Sequence, residues 1–219
     1  MMFDSEQALV DLLKEQLPGP LFQKSDETLV LDEVNLGYGI ADLVITQYLP
    51  PKPLMRNNFF SNLHITILEL LKNVRSATLP CIEDKTRASK RSINRCVEAL
   101  IEDAYVSLES DVVRLEREYY CSIKNTIAIE AKLKNWKRAL NQAYRYKSFS
   151  NESYVCLPVS NSRPALNNLH LFKQMEVGLL TLRDCGDLDI IYAPPSEQPI
   201  SSKMNMLLNE QVLTKLHSS

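Results

Sequence analysis

The run Thr126-Ile127-Ala128-Ile129-Glu130-Ala131-Lys132 constrains this chain more than any other stretch. Small and β-branched residues in unbroken succession predict a strand buried on both faces. The run ends with an acid and a base two positions apart, and on a strand that spacing places both on one face. Packing gives a buried strand no reason to end in a carboxylate beside an ammonium, whereas a reactive site has one.

A partner acid lies upstream. Thr28–Leu36 and Ile40–Ile45 predict two strands joined at Gly37-Tyr38-Gly39, with Asp42 on the second. If that hairpin strand neighbours the one ending at Glu130, Asp42, Glu130 and Lys132 converge at one sheet edge. Two carboxylates with a backbone carbonyl form an oxygen-rich site suited to Mg²⁺ or Mn²⁺. A lysine beside it can orient an attacking water and screen the charge that builds on phosphorus. Glu33 on the first strand and Glu6 on the first helix are candidate outer members.

The rest of the chain divides around this pair. Ser5–Leu17 predicts an amphipathic helix capped by Ser5 and stopped by Pro18-Gly19-Pro20. Pro50-Pro51-Lys52-Pro53 reads as a linker. Helices are expected over 62–73, 79–87 and 89–103, then a small hairpin of 105–108 and 112–115. After Lys132 come a helix over 136–149, a strand at 153–157, a helix over 166–176, a strand pair at 178–182 and 188–192, and a short helix over 203–216. Residues 1–49 and 121–219 thus predict one discontinuous α/β core, and residues 50–120 an inserted helical domain with its linkers.

Charge is distributed unevenly behind a formal net of −2. Residues 1–45 carry nine acids against Lys14 and Lys24. Residues 85–95 (Lys85, Arg87, Lys90, Arg91, Arg95) and 131–147 (Lys132, Lys134, Lys137, Arg138, Arg145, Lys147) carry no acid at all. Two basic segments can each meet a polyanion. The five cysteines are odd in number and form no CxxC pair, so neither a zinc site nor a disulfide framework is expected, and a reducing cytoplasm fits. No signal-peptide core and no apolar run near the ~20 residues of a membrane span is present. His64, His170 and His217 are scattered, and Trp136, Tyr144, Tyr146, Cys96 and Cys156 read as packing residues.

Gly39-Ile40-Ala41-Asp42-Leu43-Val44-Ile45, Ile127-Ala128-Ile129-Glu130-Ala131-Lys132 and Gln142-Ala143-Tyr144-Arg145-Tyr146 together resemble the PD-(D/E)xK superfamily of restriction-endonuclease-like nucleases. The resemblance covers roughly residues 1–49 and 121–193. It implies a restriction-endonuclease-like mixed sheet flanked by helices. It also implies Asp42 and Glu130 as ligands of Mg²⁺ or Mn²⁺, Lys132 as the catalytic lysine, and Gln142 near the site or the DNA backbone. Ala41 stands where the family's name has proline. The two acids lie 88 positions apart, a gap the inserted domain accounts for.

Residues 59–117 resemble a winged helix-turn-helix, carried by Ser89-Lys90-Arg91-Ser92-Ile93-Asn94-Arg95-Cys96-Val97-Glu98-Ala99-Leu100 and the hairpin after it. That resemblance implies a recognition helix presenting Lys90, Arg91, Asn94 and Arg95 to DNA. Arg114 and Arg117 would sit on the wing. Lys134, Lys137, Arg138 and Arg145 would line a backbone path on the core.

The expectation is a metal-dependent, duplex-binding DNA endonuclease, with a homodimer compatible with cutting both strands. The alternatives are a non-catalytic DNA-binding regulator and an interaction subunit that uses the core as scaffold.

Overall fold

A computed structural model describes all residues except 1, 2, 18, 20, 22–26, 38, 50–56 and 219. The expected stop at Pro18 and Pro20, Tyr38 of the hairpin turn, and the linker prolines 50, 51 and 53 lie outside the described residues. The chain divides into two compact units, residues 1–49 with 123–201, and residues 50–122 with 202–219.

The first unit is α/β, built on a mixed sheet of six strands in the order β1-β2-β6-β7-β8-β9. The strands are β1 (Thr28–Asn35), β2 (Ile40–Tyr48), β6 (Ile123–Ala131), β7 (Glu152–Pro158), β8 (Gly178–Leu182) and β9 (Leu188–Tyr192). β6, β7 and β8 run parallel, and the other neighbours are antiparallel. The parallel pairs are joined through helices, α5 (Trp136–Tyr146) and then α6 (Arg163–Leu166) with α7 (Leu169–Met175), because a parallel crossover needs a connection that a tight turn cannot supply.

The central strands are buried on both faces, as their unbroken apolar runs require. On one face Ile127, Ile129 and Ala131 join Leu9 and Leu13 of α1 (Glu6–Gln16). Residues of the other parity, Ala128 and Glu130, point to the opposite face, where Tyr146 of α5 reaches Glu130. Ser5 caps α1 through its side chain, as expected, and Asn35 accepts from the Gly37 N–H to tighten the hairpin turn. The proline-rich stretch after β9 is pinned to the core. Glu197 exchanges two hydrogen bonds with Asn151, and the Ile200 and Ser201 amides donate to the Lys147 and Ser148 carbonyls.

The second unit contains α2 (Asn62–Val74), β3 (Ser76–Thr78), α3 (Leu79–Thr86), α4 (Lys90–Glu102), β4 (Val106–Glu109), β5 (Val112–Leu115) and α8 (Ser202–His217). The strands form a sheet in the order β3-β5-β4. β3 is too short to show in the sequence. Ile93, Val97 and Leu100, at helical spacing on α4, enter a core with Ile65, Leu68, Leu71, Ile82, Tyr105 and Val113.

α8 corrects the predicted domain limits, which assigned residues 202–219 to the α/β core. It belongs to the second unit, packing on α2 with Met206 in the shared core. A buried polar network fixes it there. Glu210 accepts from the Phe60 amide (2.7 Å) and the Tyr119 hydroxyl (2.5 Å). Asn209 accepts from both Ser122 donors and donates to Tyr119. Apolar residues occur around most of α8, so its periodicity gives no facing direction, and these polar contacts supply the orientation. Removing one member strands the others in a dry interior. Asn209→Ala should therefore lose about 1–3 kcal/mol in urea unfolding, and a variant as stable as wild type would show the network to be incidental.

Candidate functional site

Strand register assembles the site. β2 and β6 pair from Tyr48/Ile123 up to Leu43/Ile129, and the ladder stops there. One step further, Asp42 stands opposite Glu130. The two strands part at this point, and the Asp42 carboxylate takes the place of the missing backbone acceptor, receiving the Ala131 N–H at 2.7 Å. On the other side of β2, Asp32 pairs with Leu43 and Val34 with Ala41, which places Glu33 opposite Asp42. Glu33 has a left-handed backbone (φ 50°) and skips the pairing. Three acids thus occupy one row across three adjacent strands.

Lys132 lies one residue past the end of β6, where its N–H still pairs with the Cys156 carbonyl of β7. Its ammonium is the focus of four oxygens: Glu130 Oε1 at 3.0 Å, the Ala131 carbonyl at 3.2 Å, Glu6 Oε2 at 3.2 Å and Asp42 Oδ2 at 3.8 Å. Glu6 arrives from the first turn of α1. Burial works to lower the lysine pKa, but Glu130, Asp42 and Glu6 outweigh it and hold the ammonium above the ordinary lysine value. Lys132 is therefore a fixed positive charge rather than a proton acceptor.

Glu130 is 1% exposed, and burial pushes its pKa up; the Asp42 charge adds to the rise, while Tyr146 and Lys132 oppose it. Its Oε1 faces Lys132 as an ion pair but receives no aligned hydrogen bond. Its Oε2 lies 2.5 Å from the Tyr146 hydroxyl, which also sits 2.7 Å from the Ile40 carbonyl. A phenol has one proton, so the Glu130 and Ile40 oxygens share it as acceptors. Asp42 is also raised, by burial first and by Glu6 and Glu33, against the Ala131 N–H and Lys132. Glu33 bears on the site through its charge alone.

Tyr146 is the functional side chain that sequence reasoning placed in the core or rim. It is fully buried, and the Gln142 amide, one turn earlier on α5, lies beside its hydroxyl. Gln142 and Tyr146 share one face of α5 at i, i+4, a spacing that does not by itself tell a packing tyrosine from one that reaches a carboxylate. Gln142 thus reaches the acids through Tyr146 and also lines a cleft of about 550 Å³ with Gly39, Lys137, Arg138, Asn141 and Arg145. Lys134 is exposed just before α5. Trp136 packs against Phe172, and Cys96 and Cys156 are buried, as expected.

The donor set fits a hard divalent cation: only oxygens, already converging on a positive group, with one buried carboxylate oxygen lacking an aligned donor. Among the described residues no three or more His, Cys, Asp or Glu side chains group closely enough to hold a metal by themselves. The set that fits is two carboxylates, Asp42 and Glu130, with the Ala131 carbonyl.

In the second unit Lys85, Arg87, Lys90, Arg91, Asn94 and Arg95 are all exposed. Arg87 closes α3 in a left-handed conformation (φ 53°) and begins the turn into α4, which Ser89 caps. Arg117 stacks over the Tyr105 ring at 4.0 Å and donates to the Asp103 carbonyl, so it is a packing residue and not a surface contact. Asp103, which caps the far end of α4, is buried and accepts from the Asn57 amide. The two basic groups lie in different units.

Comparison with protein-family models, curated proteins and solved structures gives no match. Among the described residues no helix is long and apolar enough to cross a membrane.

The raised carboxyls set the sign of a pH dependence. A group whose folded pKa exceeds its unfolded value binds more protons when folded, so stability falls as pH rises through that interval. In EDTA, the wild type should lose stability above the ordinary carboxylate pKa of about 4.5. Glu130→Gln, which mimics the protonated acid, should flatten that fall and be at least as stable at neutral pH. Thermal unfolding across pH 4–8 reads both, and parallel curves would refute the assignment.

Proposed function

We propose that the protein is a metal-dependent, DNA-cleaving phosphodiesterase of the PD-(D/E)xK type, whose second unit is a winged helix-turn-helix holding duplex DNA. The observation that carries the reading is the convergence of Asp42, Glu130, the Ala131 carbonyl and Lys132 where β2 and β6 part. Those oxygens would hold Mg²⁺ or Mn²⁺, which supplies Lewis acidity toward a phosphate and lowers the pKa of water. Lys132, kept charged by its carboxylate neighbours, stabilises the negative charge that develops on the phosphoryl oxygens. Tyr146 orients Glu130 by holding Oε2, which turns Oε1 toward the site. Glu6 positions Lys132.

The order helix, short strand, helix, helix, hairpin in the second unit supports the winged-helix reading. α4 supports it further, since its N-terminal half presents Lys90, Arg91, Asn94 and Arg95 while Glu98 and Glu102 occupy the far end. DNA would be met by the basic half, with Lys85 and Arg87 on the preceding segment.

Plasmid cleavage in Mg²⁺ and in Mn²⁺ tests the enzyme. Asp42→Ala, Glu130→Ala and Lys132→Ala should each reduce the rate by about 10²-fold or more, the scale seen when one preorganised charge-stabilising group is lost. No cutting by wild type in either metal, with DNA binding retained, favours the non-catalytic regulator.

The left-handed Arg87 separates binding from stability. Glycine adopts that conformation without the Cβ penalty. Arg87→Gly should gain up to about 1 kcal/mol of stability while weakening duplex binding. A variant that loses both would make Arg87 a structural cap only.

A further inference from the structure

The cleft on α5 has a composition that the acid cluster does not explain. Lys137, Arg138 and Arg145 line it with Asn141, Gln142 and Gly39, and no acid is among the described lining residues. The three cations are exposed and make no ion pair among the described residues, although acids elsewhere in the first unit neutralise Lys14, Lys124, Lys132, Lys147 and Arg183. Lys137 and Arg138 also occupy the first turn of α5, the end of a helix where positive charge is unfavourable. α5 carries no acid to offset them. Lys137 stands over the Trp136 ring at 5.6 Å, whereas Arg138 and Arg145 have no ion-pair partner among the described residues and are placed for an anion from outside.

The floor of the cleft is joined to the acids by two short steps. Gly39 has φ 129°, a conformation that only glycine adopts comfortably, so the backbone is bare there. The next residue, Ile40, gives its carbonyl to Tyr146. Gln142 lies beside the same Tyr146 hydroxyl, which holds Glu130.

We propose that this cleft is a phosphate subsite for the backbone of the bound nucleic acid, seating a phosphodiester next to the one placed at the acid cluster. Planar guanidinium groups suit two-pronged binding of phosphate oxygens, and the Asn141 amide adds a neutral donor. The subsite rests on the nuclease reading for its neighbour, but not for its own ligand. It makes the first unit a DNA-binding surface in its own right, independent of α4.

Fluorescence anisotropy with a labelled 20-base-pair duplex, in EDTA and over a salt series, tests the subsite without requiring cleavage. The full-length chain carrying Lys90→Ala, Arg91→Ala and Arg95→Ala serves as background, so that residual binding reports on the first unit. Adding Arg138→Ala and Arg145→Ala should weaken that binding and reduce the salt slope by about 1.8, roughly 0.9 for each lost phosphate contact. Arg138→Lys with Arg145→Lys should keep most of the slope, which guards against loss of fold as the cause. An unchanged slope in the alanine variant overturns the proposal. So does equal weakening by the lysine and alanine pairs. If wild type cuts no DNA in any metal but the slope falls as stated, the nuclease reading fails and the subsite stands. If wild type cuts and the slope is unchanged, the reverse holds.

Discussion

The buried carboxylate of Glu130 is the constraint on which the first unit turns. A charge taken this far from water must be compensated or neutralised. The fold offers both remedies at once, a lysine ammonium on one oxygen and a tyrosine hydroxyl on the other. Each remedy has a structural requirement. The ammonium requires β6 to end one residue before Lys132 while its N–H stays paired to β7. The hydroxyl requires α5 to cross the opposite face with Tyr146 pointing inward. The parting of β2 from β6 gives the acids room, and Asp42 makes that parting tolerable by accepting the Ala131 N–H. The sheet edge, the helix position and the charge cluster therefore depend on one another.

The same economy recurs in the second unit. Its core is assembled from a contiguous stretch and from a helix that follows after 79 intervening residues, and the join carries a buried hydrogen-bond network. Glu210 and Asn209 determine how α8 docks because its apolar residues, spread around the helix, do not. Buried polar networks of this kind add less to stability than apolar packing of the same volume, but they penalise every misaligned arrangement.

The legible parts of the chain were those written in local pattern. Strand runs, helix caps and apolar spacing placed most elements within a residue or two, because each of those signals acts over one turn or one strand; β2 and β6 extend three residues beyond expectation, α5 ends three earlier than expected, and the helix expected over 166–176 is two helices, α6 and α7. Asp42, Glu130 and Lys132 were legible as a set because register on a strand is periodic and the third residue follows the second by two. Tyr146 was not legible, since a tyrosine on an amphipathic helix has the same spacing whether it fills a core or reaches a carboxylate. The home of α8 was hidden for a related reason. Its chain neighbours belong to the α/β core, and its contacts are set by two polar side chains whose partners, Phe60, Tyr119 and Ser122, lie far away in sequence. Arg117 misled in the opposite direction, because a charge beside a hairpin looks like surface until an aromatic ring is found beneath it.

Charge divides the first unit into a negative cluster and a positive cleft. Glu6, Asp42 and Glu130 face a single ammonium, so the acid cluster is negative and repels a phosphate. The α5 cleft, joined to it through Gln142 and Tyr146, is positive. A polyanion is thus drawn to the cleft and held off the acids until something cancels their excess charge. Under the proposed function a divalent cation would do this. Burial, which raises the Glu130 and Asp42 pKa values, means that any proton held there is one that cation binding must displace. A site built this way would bind its substrate through the cleft in either state, but admit a phosphate to Glu130 in only one.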